Sequence, residues 1–473
     1  MRFSRVFPLV LVFIGSLHAG GFMLSGVGSR GLGSAGGGYQ AVVSGWDAVF
    51  WNPAGLANPE PRSVELYFSL VYPRSSFEPH TGILGYDGPY SMRYKVNAEQ
   101  QVFKIPAFGV YYGSEGWIDG YGFALFAPFG LGTSFDLYDP PVGYYVTNDT
   151  TFEPPQFPQH DWVSDLKVTA AWVGIAKKLT DRISVGFSGG PVFASVYFRR
   201  VDFLDPAEME SSAVSLPIQY RLWPLDIQLS GTGIGVGMGF GVQYRAGERL
   251  RVGLTGRYYP KLKLEGQDSI VLYLPRNDFI ASFDTSLAFL FSGATIPALS
   301  NGTAYLPLPW TLSMGMAYEA SHNLTLGLSL DLNGHSVVDI VPVEFDSLVL
   351  MDNRIEAETL KLHWQNTLRI SAGASYRFPS SVVIRGGLYY ESSPIPDSTF
   401  TPLITDTGDK LSVNAGMTLP ITSNIEISGN IEAIIVDRRD IKADSDYSYR
   451  SNYLPGNYNS FIGAGGLSLK YKF

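Results

Sequence analysis

Residues 234–244 read Ile-Gly-Val-Gly-Met-Gly-Phe-Gly-Val-Gln-Tyr. Every second residue of this stretch is large and apolar, and the residues between are glycine or glutamine. Because successive side chains of a β-strand point to opposite faces, this alternation indicates a strand with one apolar and one small or polar face. Similar alternation recurs at residues 324–333, 368–378, 411–419 and 425–431. Transmembrane β-barrels have this pattern, with the apolar face toward lipid, and soluble β-sandwiches also alternate.

The composition favours a membrane protein. Only 16% of the 473 residues are charged, whereas a soluble domain has about 25%. The formal net charge of −9 argues against a nucleic-acid-binding protein, which needs a basic surface. The absence of cysteine excludes disulfides and thiolate metal sites.

The first 19 residues resemble a secretory signal. Arg2 and Arg5 precede a short apolar run, and Ala19 ends a passable cleavage site. The run is shorter than the ~20 residues that a membrane-spanning helix needs, and no later stretch reaches that length. Since only helices and closed barrels satisfy their backbone groups in lipid, a membrane location requires a barrel.

The connections predict the number of strands. Six short turns are predicted, near residues 113–119, 177–182, 246–249, 320–323, 378–381 and 421–424. They alternate with seven long polar segments at 74–94, 136–162, 200–230, 265–307, 336–360, 393–409 and 438–459. Thirteen connections join fourteen strands, and short turns alternating with long loops are typical of bacterial outer-membrane barrels. We therefore predict an all-β fold, a 14-stranded antiparallel transmembrane β-barrel.

Both ends of the mature chain fit this fold. The final strand alternates and stops on Phe473, which resembles the signal read by the outer-membrane assembly machinery. Residues 20–61 do not alternate and are rich in Gly, Ala and Ser. A fourteen-stranded lumen is too wide for strand side chains alone to fill, so this segment is predicted to be a plug. The predicted organisation is a signal peptide (1–19), a plug or hatch (20–61) and a barrel (62–473).

Several motifs identify a family resemblance. The plug contains Gly31-Leu32-Gly33-Ser34-Ala35, Asp47-Ala48 and Asn52-Pro53-Ala54-Gly55-Leu56, and later matches are Trp364–Arg369, Gly373, Tyr376, Arg385-Gly386-Gly387 and Ser393–Pro396. Together they resemble the FadL/TodX family of outer-membrane transporters for long-chain fatty acids and aromatic hydrocarbons. The chain departs from the family at Asn366, where Asp is more frequent, and in the loop after Ile395. The resemblance implies passive uptake of hydrophobic small molecules across the bacterial outer membrane.

The family's mechanism implies capture outside, transfer to a pocket in the barrel and lateral exit through the wall. Large exposed apolar patches usually mark binding sites, so the apolar loops are candidates for capture. The alternative is a loop that packs on its own neighbours. The residues predicted to form a capture groove are Trp223, Phe279, Phe283 and Leu287.

Candidates for the inner pocket follow from the resemblance. Arg200 aligns with an arginine that the family places near the substrate carboxylate, and Lys361 is a second candidate. Each could instead pair with an acid in the lumen. Phe22 lies in a stretch resembling the family's N-terminus, which occupies the pocket. A pocket for such substrates should be apolar with one or two polar groups.

The third strand, residues 121–135, contains a proline in its middle. Proline removes a ladder hydrogen bond and is confined to edges and bulges, so Pro128 requires a bulge or a gap in a closed barrel. The family has its wall opening on this strand, and we expect residues 52–54 to lie against residues 127–130. The alternative is a harmless bulge. The residues predicted to form the gate are Asn52, Pro53, Ala54, Pro128 and Gly130.

Other signals are weaker. Residues 26–31 match GxGxxG but lie in no strand–helix unit, and the histidines show no metal spacing. We therefore expect no cofactor, no metal and no enzymatic activity. The expected partners are the hydrophobic substrate, outer-membrane lipid and lipopolysaccharide, with the chain acting as a monomer. The alternative function is a surface adhesin or receptor barrel that acts through its long loops.

Overall fold

The computed structural model describes residues 21–80, 95–138, 152–153, 160–204, 223–283, 288–350, 353–404, 408–442 and 454–473. The predicted signal peptide lies outside these residues. Among them, no helix is both long enough and apolar enough to cross a membrane.

Fourteen antiparallel strands form a closed barrel, as predicted. They are β1 (Ser63–Pro79), β2 (Phe103–Gly113), β3 (Gly120–Phe135), β4 (Trp162–Lys178), β5 (Ile183–Leu204), β6 (Trp223–Arg245), β7 (Leu250–Tyr258 and Leu262–Tyr273), β8 (Thr295–Leu306 and Trp310–Glu319), β9 (Leu324–Gly334 and Ile340–Leu350), β10 (Asn353–Lys361 and Thr367–Arg377), β11 (Val383–Glu391), β12 (Lys410–Pro420), β13 (Ile425–Ile441) and β14 (Gly456–Lys472). Strands β1 and β14 pair from Ser63↔Lys472 to Pro79↔Gly456, which closes the barrel.

Alternation along the strands separates two faces. In β6 the side chains of Ile234, Val236 and Phe240 are 63%, 58% and 54% exposed, so they face outward. The intervening glycines therefore face the lumen. The short turns occur where they are predicted, at one end of the barrel.

Strands β7 to β10 are each interrupted at one level. The four strands are in register beside these interruptions. Thr311 of β8 pairs with Arg257 of β7 and with Asn333 of β9, and Asn333 pairs with Thr367 of β10. Beyond this level the strands continue through most of the segments 265–307 and 336–360, which the sequence predicts as loops. That prediction is wrong because apolar side chains on the inner faces of the outer segments pack on one another. This outer cluster consists of Trp223, Ile227, Leu229, Ile270, Leu272, Leu274, Ala298, Val343, Phe345, Leu348 and Leu350.

Four short helices precede the barrel. They are α1 (Ser29–Gly33), α2 (Tyr39–Val42), α3 (Ala48–Trp51) and a 3₁₀ turn (Pro53–Ala57). Nearly all their residues are buried, and they lie against lumen-facing glycines. A Cβ on Gly186 would lie 2.3 Å from the carbonyl carbon of Pro53, and one on Gly373 would lie 2.5 Å from the carbonyl oxygen of Ser34. The absence of side chains at these positions leaves room for the helices inside the barrel.

Buried charges join this N-terminal segment to the barrel. Arg30 contacts Asp47 and Glu60, each at 3.2 Å, and Lys470 of β14 contacts Glu60. Arg369 donates to the carbonyl oxygens of Ser25 at 3.1 Å and Ala35 at 3.4 Å. Charge-assisted hydrogen bonds of this kind are stronger than neutral ones, so they hold the segment firmly.

Candidate functional site

An apolar cavity lies inside the barrel at the level where β7–β10 are interrupted. Its volume is about 100 Å³. Apolar side chains make up most of its wall, with Arg199, Arg200 and Thr401 as its polar members. The apolar lining residues are Phe22, Leu131, Leu166, Phe198, Ile227, Leu229, Leu306, Val338, Val341, Leu360, Leu362, Trp364, Leu403 and Ile404. This combination of apolar walls and few polar groups is typical of sites for hydrophobic ligands. We call it the inner cavity.

Both arginines of the inner cavity have acidic partners. Arg199 forms two hydrogen bonds of 2.9 Å to the carboxylate of Asp226. The Nε of Arg200 lies 3.0 Å from Asp202, and Arg200 is only 7% exposed. Arg200 therefore pairs with an acid, which is the alternative to a substrate-binding role that the sequence left open. The inner cavity presents arginine side chains whose charges are balanced.

The wall of the barrel is open between β2 and β3. These strands pair from Gly113↔Gly120 only as far as Phe108↔Leu125, although β2 continues to Phe103 alongside β1. On its other side β3 pairs with β4 with a register shift between Phe126 and Phe129. A bulge shifts the ladder locally, and Pro128 lies within it. Strand β3 thus bends away from β2 where the sequence predicts an irregularity.

A second cavity occupies this gap. Its volume is about 780 Å³, and it extends from lumen-facing residues such as Tyr67 and Glu432 to outward-facing residues such as Val102 and Leu125. We call it the wall opening. Its lining includes Met23, Leu24, Pro106, Ala127 and Gly130.

The first described residues of the chain lie at the kink in β3. The amide of Gly130 donates to the carbonyl oxygen of Phe22 at 2.9 Å, and the amide of Leu24 donates to Pro128 at 3.2 Å. Met23 and Phe129 form an antiparallel bridge. The N-terminal residues therefore take hydrogen bonds at the place where β3 has lost its pairing with β2.

Phe22 lies between the two cavities. Its ring centre is 5.0 Å from that of Trp364 and 5.8 Å from that of Phe129. Leu131 and Leu166 line both the inner cavity and the wall opening. Leu131 and Leu166 therefore separate the two spaces, and Phe22 lines the inner cavity beside them. We call these three side chains the partition.

The sequence matches a known family from residue 10 to residue 473, described as "Outer membrane protein transport protein (OMPP1/FadL/TodX)". The chain belongs to the FadL/TodX family. The predicted resemblance is confirmed, as is the outer-membrane location. The family and its solved members are transporters and channels rather than enzymes.

Solved structures of FadL/TodX proteins share the fold. A FadL homologue of Pseudomonas aeruginosa has a TM-score of 0.71 and 17% identity, covering 96% of this chain and 100% of that one. The toluene transporter TodX of Pseudomonas putida has a TM-score of 0.69 and 16% identity, covering 95% and 99%. A relative from Neisseria meningitidis, named as an outer membrane protein, is 23% identical over 177 residues. That match spans 35% of this chain and only 36% of the relative's length.

Within this FadL/TodX barrel, the predicted pocket residues do not all line the same cavity. Phe22 and Arg200 line the same inner cavity. Lys361 is exposed and does not line it, whereas its neighbours Leu360 and Leu362 do. Because side chains alternate along a strand, Lys361 points to the outer face.

The predicted capture residues have different positions. Trp223 is fully buried in the outer cluster, so it does not form part of an exposed groove. Phe279 and Phe283 lie in the short helix α4 (Asp278–Phe283). Leu287 lies outside the described residues.

The predicted contact of residues 52–54 with residues 127–130 is wrong. The side-chain amide of Asn52 donates to the carbonyl oxygens of Gln40 at 2.8 Å and Val242 of β6 at 3.0 Å. Pro53 and Ala54 lie against Gly186 of β5, because that glycine leaves room for their backbone. Residues 22–24 occupy the place beside the kink instead.

Sequence reasoning missed several lining residues, above all Trp364 and Leu403. Trp364 stands at the interruption of β10, and nothing in the alternation marks that break. For Leu360 and Leu362 a signal was present, because residues flanking an outward lysine on a strand must face inward.

Proposed function

We propose that this FadL/TodX protein takes up small hydrophobic molecules, which pass from the inner cavity to the wall opening and leave sideways into the outer membrane. The observation that carries the proposal is that Leu131 and Leu166 line both cavities, with Phe22 beside them in the wall of the inner cavity. A molecule in the inner cavity needs only these side chains to move aside in order to reach the lipid-facing side of the barrel.

The size of the inner cavity supports a compact substrate. Its volume is about 100 Å³. A protein cavity of roughly 150 Å³ lined by Leu, Ile and Phe binds benzene, so one aromatic ring is close to the capacity here. The balanced charges of Arg199 and Arg200 favour a neutral molecule over a carboxylate, because a fatty acid would have to displace Asp226 or Asp202. Of the two substrate classes of the family, aromatic hydrocarbons fit better, and TodX of P. putida is named a toluene transporter.

Capture at the outer end and a plug complete the proposed route. Helix α4 contains the predicted capture residues Phe279 and Phe283, which supports a role for this part of the chain in first contact. Residues 20–61 act as the plug. The many contacts of the N-terminal helices with lumen-facing glycines support this assignment, since the helices occupy the space through which solutes would otherwise diffuse.

The lateral exit can be tested by restoring the strand. Pro128→Val supplies the missing amide donor and removes the ring, so the bulge should relax toward β2 and the opening should narrow. We expect a lower initial uptake rate of labelled toluene in cells that lack other transporters of this family. Pro191→Val is the matched control, because Pro191 is exposed on β5 away from the opening.

Labelled oleate measured beside toluene tests the substrate class. Faster uptake of oleate would contradict the preference for neutral rings. Normal uptake by Pro128→Val at normal barrel expression would contradict lateral exit. A surface adhesin or receptor would need neither the inner cavity nor the wall opening, and neither variant would then alter uptake.

A further inference from the structure

Two lysines flank the outer mouth of the wall opening. Lys104 is on β2, four residues beyond Phe108, where the pairing of β2 with β3 ends. Lys167 is on β4 and pairs with Gly130 of β3. Both lysines are exposed and both line the wall opening, so they stand on either side of the bent strand.

The mouth carries a net positive charge. Lys167 lies 2.5 Å from Asp165 on its own strand, which balances one of the two cations. Within the part of the chain that the structure describes, the ammonium of Lys104 contacts no acid. An anion placed over the outer mouth would therefore be attracted from both sides. Of the two acids among the described lining residues, Asp165 faces outward and Glu432 faces the lumen.

Apolar side chains surround these lysines on the lipid-facing wall. Val102 is 51% exposed and Leu125 is 37% exposed, and both line the wall opening. On neighbouring β1, Leu70 pairs with Lys104, and the exposed side chains of Leu66 and Phe68 precede it along the strand. Beyond Leu70 the outward face becomes polar at Arg74. The lysines thus lie at the outer edge of the apolar band, where lipid headgroups meet acyl chains.

We propose that the mouth of the wall opening binds a phosphorylated lipid of the outer leaflet. The phosphate lies between Lys104 and Lys167, and one acyl chain lies in the gap beside Val102 and Leu125. Lysine binds phosphate as a point charge, and lysines near a membrane surface attract anionic lipid. Such a lipid would cover the exit and would have to be displaced by a departing substrate. The site depends on the wall and its charges, and it stands whether or not the substrate is an aromatic hydrocarbon.

The test is native mass spectrometry of the purified full-length barrel. Diphosphorylated lipid A is added at increasing concentration, and a dephosphorylated lipid with the same acyl chains is added in parallel. Wild-type protein should retain lipid A, and the double variant Lys104→Gln with Lys167→Gln should bind it at least about tenfold more weakly. The double variant with arginine at both positions should restore binding, which separates loss of charge from loss of folding. Lys263→Gln is the matched control, because Lys263 is another exposed lysine of the outer wall and is remote from the opening.

Two outcomes would overturn the proposal. Equal retention of the dephosphorylated lipid would mean that acyl chains alone are held. Equal binding of lipid A by the double glutamine variant would mean that the lysines only extend toward the headgroups without forming a site.

Discussion

Removing the ring of Phe22 should weaken the partition between the two cavities. Phe22 is 5% exposed, and its ring packs on Trp364 and Phe129. Truncating a buried phenylalanine to alanine costs roughly 3 to 5 kcal/mol in a core, and the lower end of this range, about 3 kcal/mol, is applied to Phe22. At 1.4 kcal/mol per factor of ten, that cost raises the population with residues 21–24 displaced by roughly 100-fold. The partition would then consist of Leu131 and Leu166 alone.

Uptake by Phe22→Ala is the assay. We expect a faster initial rate for labelled toluene and a weaker preference for toluene over larger two-ring hydrocarbons, since fewer side chains then restrict passage between the cavities. Phe187→Ala is the matched control, because Phe187 is 51% exposed on the outer face of β5. Barrel content should be checked by heat-dependent migration of the extracted protein. An unchanged rate and unchanged selectivity, as in the control, would refute the role of Phe22 as a partition.

Two further predictions concern the contacts that fix the N-terminal segment inside the barrel. Gly186→Ala should loosen this segment and expose it to added protease, because the new Cβ would lie 2.3 Å from Pro53. Gly256→Ala is the control, because a Cβ there meets nothing within 4 Å and should change nothing. Equal protection of both variants from protease would contradict this packing. Burial alone would raise the pKa of Glu60, but Arg30 and Lys470 outweigh it and lower the pKa to about 2. The carboxylate therefore stabilises the fold above its ordinary pKa of 4.5, and protease protection should fall between pH 4.5 and 2 in the wild type but much less in Glu60→Gln.

The barrel could be predicted because the alternation and the short turns that form it are local features of the sequence. Alternation such as that of residues 234–244 sets one face of each strand toward lipid, and short turns fix the neighbours. The outer segments of β7–β10 could not be predicted in this way, since their outward residues mix polar side chains such as Lys263 and Glu344 with apolar ones such as Leu299. Their inner faces become apolar core only when several strands curve together, and Trp223 is buried for that reason.

Part of the candidate site, the irregularity in β3, could also be predicted from a local feature of the sequence. Pro128 signals an irregularity by its own chemistry, and the bulge is where it was expected. Which piece of the N-terminal segment fills the space beside it depends on packing between residues far apart in sequence. Asn52 finds its acceptors on α2 and β6, and only the folded chain brings Phe22 to Gly130.

The tight fit of the N-terminal helices against Gly186 and Gly373 has a consequence for biogenesis. A folded segment cannot be threaded into a completed cylinder whose inner surface it touches on opposite sides. Residues 21–58 must therefore be inside before the last seam, between β1 and β14, is zipped. The order of events during insertion then follows the order of synthesis: the N-terminal segment, made before the barrel strands, is in place before the last strand closes around it.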